Sequence, residues 1–145
     1  AVRLYRESDD TEQALEYARN LVERYPDRTR AISEYLELLL ASGREGDAGD
    51  YIAERLPETE SSEVRSLLLY FRSEIQTNID EQIESLQSAL FENMQNIRAL
   101  VKIAELYERE GEIAKAARYL RQAVASRPGD EELRVRLRRL EQRIE

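Results

Sequence analysis

The sequence predicts an all-α fold, a solenoid of antiparallel helix pairs. Three observations carry that prediction. Apolar residues recur at three- and four-residue spacing, as in Leu100, Ile103, Ala104 and Tyr107, which is the period of one helix face. Five Gly and three Pro are spread over 145 residues, so helix interiors run mostly unbroken. The apolar pattern recurs every 34 residues, as Ala14 and Ala48 show, and such a period marks a stacked array.

The repeat shows in columns. Ala116 aligns with Gln82, Ala48 and Ala14, Leu120 with Leu86, Ile52 and Ala18, and Val124 with Leu90, Leu56 and Val22. Ala117 aligns with Ile83, Gly49 and Leu15, Ala123 with Ala89, Arg55 and Leu21, Tyr119 with Ser85, Tyr51 and Tyr17, and Pro128 with Met94, Glu60 and Pro26. Gln82, Arg55 and Glu60 depart from their columns. In the first half of each unit, Tyr107 aligns with Leu39 and Tyr5, Ala104 with Leu36 and Val2, and Gly111 with Gly43. The third unit is out of step by two residues: Val64, Leu67, Leu68 and Phe71 match Leu100, Ile103, Ala104 and Tyr107 only after that shift. Pro57 ends one helix early and the turn "SEIQTNID" is long, so the register returns.

Each element has a local reason. Residues 1–7 read as the tail of a helix. A second helix, 10–24, has Asp10 as its cap with Gln13 three residues on. Helix 28–42 is closed by Gly43, suited to the left-handed residue that ends a helix. Helix 46–56 is stopped by Pro57. Helix 61–75 starts at Ser61/Ser62, and helix 79–93 carries Ile83, Leu86, Ala89 and Leu90. Helix 96–110 is closed by Gly111, and helix 113–126 lies before Pro128. Helix 130–144 is capped by Asp130 and carries Leu133, Leu137, Leu140 and Ile144 on one stripe. Small residues sit where helices cross, because backbones approach only when side chains are small: Ala104 and Ala116 within a unit, Ala123 toward the next.

Composition excludes several functions. The net charge is −8 and the pI about 4.8, so a phosphate backbone is repelled and nucleic-acid binding is not expected. No Cys and no His are present, which removes thiolate and imidazole chemistry and the usual zinc ligands. Arg outnumbers Lys by 20 to 2; carboxylate pairing and genome composition both account for that bias. No apolar run reaches the ~18–20 residues that span a bilayer, so membrane insertion is not expected. Asp9/Asp10 and Glu131/Glu132 are explained as capping pairs, Lys102 and Lys115 lack apolar surroundings, and no phosphate loop appears. The chain is therefore expected to be no enzyme and to use no cofactor. It starts at Ala1 inside an expected helix, which predicts a piece of a longer protein, with cytoplasm and bacterial periplasm both open.

The columns resemble the tetratricopeptide repeat family, clearest in Leu100, Ile103-Ala104, Tyr107, Ala116, Leu120, Ala123 and Pro128. The resemblance implies a right-handed α-solenoid of about four units over 1–130, near 1–28 (truncated at its first helix), 29–60, 61–96 and 97–130, with 131–145 as a capping helix. It also implies a non-catalytic scaffold that binds a protein or peptide on its concave face. First-helix positions carried over from the family place Arg30, Glu37, Arg65, Leu69, Arg72, Arg98, Lys102, Glu105 and Arg109 there, with Ser33, Glu34, Ser66, Val101 and Glu108 among their neighbours. Six of these residues are cations, which suits a partner with acidic groups. The family's paired Asn and Lys clamp for a C-terminal carboxylate is absent. Local pairing, Arg98 or Lys102 with Glu105, is the plainer reading of the charges. The alternative function is a structural spacer or a self-association module, a homo-oligomer formed through the terminal helices. On the concave reading, charge reversal at Arg65, Arg72 and Arg98 leaves stability nearly unchanged.

Overall fold

The computed structural model describes residues 2–144, with side chains from Asp9 onward. Eight helices follow one another: α1 (Val2–Arg24), α2 (Thr29–Ala41), α3 (Glu45–Arg55), α4 (Ser62–Ile75), α5 (Ile79–Glu92), α6 (Ile97–Arg109), α7 (Ile113–Ser126) and α8 (Glu131–Ile144). Among the described residues there is no strand. Successive helices pack as antiparallel pairs, α4 on α5 and α6 on α7 most closely, with α8 laid on α7.

One expectation fails at the start. Helices near 1–7 and 10–24 are a single helix, α1, and Asp10 lies inside it rather than at a cap. The reason is visible in the turns that do form. Gly43 and Gly111 close α2 and α6 at φ 71° and 78°, a left-handed conformation that strains most side chains. The equivalent position in the first unit is Asp9, so nothing there favours a turn and the helix runs through. The side chains of Val2 and Tyr5 lie outside the described residues.

Elsewhere the starts are capped. Ser61 Oγ accepts from the Val64 amide at 3.3 Å, and Asp130 Oδ1 from the Leu133 amide at 3.1 Å. Asn78 accepts from Asp80 and Glu81 and Asn96 from Ala99, two caps that the repeat columns do not single out.

The core runs the length of the array. Leu36, Val64, Leu68, Leu86, Leu100 and Ile103 are fully covered. Ala104, Ala116, Ala117 and Ala123 are buried with them, as close helix crossings require. Two off-pattern residues have structural uses. Gln82 Nε2 donates to the carbonyls of Ser73 and Gln76, closing the long turn after α4. Arg55 Nη2 donates to Pro26 O at 3.0 Å and Asp27 Oδ1 at 3.2 Å, tying α3 to the turn between α1 and α2. In the tyrosine column, Tyr51 packs edge-on against Tyr35 and Tyr119 stacks on Tyr107, while Tyr17 is exposed.

Leu133 and Leu140 of α8 are buried and Leu137 half-buried, while Ile144 is exposed. Arg134, Arg138 and Arg139 face outward, so the free side of α8 is charged.

Candidate partner-binding groove

A groove of about 380 Å³ crosses α4, α6 and α8. Tyr70, Ile97, Val101 and Leu133 give it an apolar floor, and Glu74, Arg98, Lys102, Glu105 and Arg136 line its walls. The apolar positions come from the same helix periodicity that builds the core. The charged ones project from the next positions around each helix.

The charges pair between helices rather than along them. Arg98 Nη2 donates to Glu37 Oε1 at 2.5 Å and its Nη1 to Ser33 Oγ at 3.1 Å. Its guanidinium lies 5.1 Å and 5.2 Å from the ring centres of Tyr70 and Phe71. Arg98 thus reaches from α6 to α2 across the aromatic residues of α4. Lys102 pairs with Glu74 at 3.7 Å, and Glu105 with Arg136 at 2.9 Å. The expected Arg98–Glu105 and Lys102–Glu105 pairs do not form. Tyr70 Oη donates to Glu74 Oε1 at 2.6 Å. Burial pushes the Tyr70 phenol well above its ordinary value, and the hydrogen bond and charge of Glu74 add to the shift.

Other predicted site residues fall elsewhere. Arg30 is exposed and pairs with Glu34 on its own helix at 3.3 Å. Arg109 is exposed at the end of α6, with no ion pair among the described residues. Leu69 is 4% exposed, so it is core and offers no surface. Arg65 and Arg72 turn away from the groove, because Arg72 lies about 200° around the helix from Tyr70 at ~100° per residue. Arg65 Nη1 donates to Leu56 O at 2.6 Å and its Nε to Glu92 Oε1 at 3.1 Å, closing the C-terminus of α3. Arg72 Nε donates to Ser85 Oγ at 3.0 Å. Reversing Arg65 or Arg72 therefore disturbs packing contacts, contrary to the expectation of unchanged stability.

Among the described residues no three His, Cys, Asp or Glu side chains converge to hold a metal, and no helix is long and apolar enough to cross a membrane. Two family models, both described as tetratricopeptide repeat, match residues 97–138 and 1–28. No curated protein matches the sequence. Two solved structures, titled "Crystal structure of MamA" and "Crystal structure of MamA protein", are similar in fold. Each has a TM-score of 0.62 at 18% identity over 88% of this chain, covering 75% and 70% of theirs. The chain carries repeats of the tetratricopeptide family, arranged as an all-α helical solenoid.

Proposed function

We propose that the chain is a protein-interaction scaffold that holds a peptide segment in the groove across α4, α6 and α8. The observation that carries this reading is the groove itself: an apolar floor between walls of both charge signs, shared by α4, α6 and α8. Array proteins of this kind present such faces to extended or helical segments. The partner's apolar residue would sit over Val101 and Leu133, and its charged residues would exchange with the Lys102–Glu74 and Arg136–Glu105 pairs. Those pairs are partly exposed, so exchanging them costs little. The division into four units near 1–28, 29–60, 61–96 and 97–130, closed by 131–145, belongs to the same proposal.

The test is affinity capture from native extract with wild type beside Val101→Trp, which fills the groove from a half-buried position. A protein retained by wild type and lost with the variant supports the groove. Retention of the same proteins by both sinks it, and retention only of further copies of this chain favours the self-association reading.

A further inference from the structure

We propose that a cleft between α3 and α4 is a second binding site, for a peptide segment that presents an aliphatic or aromatic side chain beside a carboxylate. The cleft measures about 440 Å³, within the size range of ligand pockets. Ile52, Leu56, Pro57 and Ile75 give it apolar walls, and its charged lining residues are Arg65 and Arg72.

Its origin lies in the sequence. Gly49 occupies the column of Leu15, Ile83 and Ala117, so a side chain is missing where other units have one. A Cβ at Gly49 would meet Ile75 Cδ1 at 3.3 Å. Pro57 follows α3 closely, and α3 has 11 residues where α5 and α7 have 14. The space left by the short helix stays open.

The charge identifies the occupant. The chain carries a net −8, yet among the described residues no carboxylate lines this cleft. Arg65 is engaged by Leu56 O and Glu92. Arg72 is half-buried, and its one hydrogen bond, to Ser85, uses Nε. Its terminal nitrogens have no partner among the described residues. A guanidinium partly shielded from water without a counter-ion favours an incoming anion, and its planar fork matches a carboxylate. The apolar walls require that the anion arrive with a hydrophobic group attached. This site is separate from the groove, so each can fail alone.

The test is methyl NMR on the chain labelled at isoleucine Cδ1. The probe is an equimolar pool of octapeptides with Leu, Ile, Phe or Met at the centre and Asp or Glu on either side. The Ile52 and Ile75 signals should shift and saturate while Ile97, in the groove, stays in place. Arg72→Gln should weaken binding about tenfold or more, and Ala53→Trp, at an exposed position on the cleft wall, should abolish it. Replacing the acids of the pool by Asn and Gln should also weaken it. Silence of Ile52 and Ile75 up to millimolar peptide overturns the proposal, as does equal binding of the amide pool. A shift at Ile97 alone supports the groove and removes the cleft. Decanoate is titrated separately: saturable binding of it with none of the peptides overturns the peptide assignment.

Discussion

Removing one hydroxyl, Ser66→Ala, should loosen the joint between α4, α5 and α6. Ser66 is 1% exposed. Its Oγ donates to Ala89 O at 2.7 Å and accepts from Asn96 Nδ2 at 2.9 Å. Asn96 Oδ1 in turn caps α6 through the Ala99 amide. The substitution nearly keeps the shape, so no large cavity opens. The Ala89 carbonyl retains the Asn93 amide at 2.9 Å, and the half-buried Asn96 amide loses its partner. Two hydrogen bonds at ~0.5–1.5 kcal/mol each give a cost of about 1–3 kcal/mol. Urea denaturation with an unchanged slope would read that cost as a lower midpoint. Asn96→Ala should cost about 1 kcal/mol for the cap plus its share of the Ser66 bond. The double variant should then show coupling of about 0.5–1.5 kcal/mol. A Ser66→Ala midpoint equal to wild type, or strict additivity with Asn96→Ala, would refute the network.

Ala116→Leu should overpack the α6–α7 crossing, where Ala116 is fully covered, and cost ~1–3 kcal/mol; an unchanged melting temperature counts against the repeat register. Ala114→Leu, on the exposed side of α7, is its control. Arg65→Gln should destabilise by about 1–2 kcal/mol, since it removes bonds to Leu56 O and Glu92. Arg98→Gln, whose pair with Glu37 is about half exposed, should cost ~0–1 kcal/mol. Equal effects in thermal melts would contradict that ordering. The phenols of Tyr35, Tyr51, Tyr70 and Tyr107 are all raised above 10.0 by burial, so the folded state holds those protons more tightly. Their contribution is complete below pH 10.0 and is lost as pH rises toward the folded values. Alkaline unfolding of Tyr70→Phe should therefore begin at higher pH than wild type; coincident curves would show that Tyr70 is not the sensitive group.

Most of the fold is legible because helix faces repeat. Leu100, Ile103 and Ala104 announce their face by spacing alone. Gly43 and Gly111 announce the turns through a backbone state that favours glycine. The first turn is misread because a column can be aligned without its turn residue: Asp9 stands where the glycine is needed. The rotation of α4 is not legible either. The positions carried over from the family put Arg65, Leu69 and Arg72 at the groove, whereas Leu69 is buried and Arg65 and Arg72 line the cleft. Partners across units are also hidden, since nothing in the spacing of Arg98 points to Glu37.

The off-pattern residues carry more information than the regular ones. A regular column serves packing and would be filled the same way whatever the array binds. Gly49, Arg55 and Gln82 break their columns and Pro57 follows a shortened α3, and each alters geometry at unit two or three. Gly49 and Pro57 open the cleft, Arg55 ties α3 back to Asp27, and Gln82 closes the long turn. Arg55 and Gln82 hold the turns before α2 and after α4, while the cleft lies at the more sparsely packed joint between α3 and α4. The reason to test the opening as a site is that its apolar walls surround Arg72, whose bond to Ser85 engages Nε and leaves the planar fork to an incoming carboxylate.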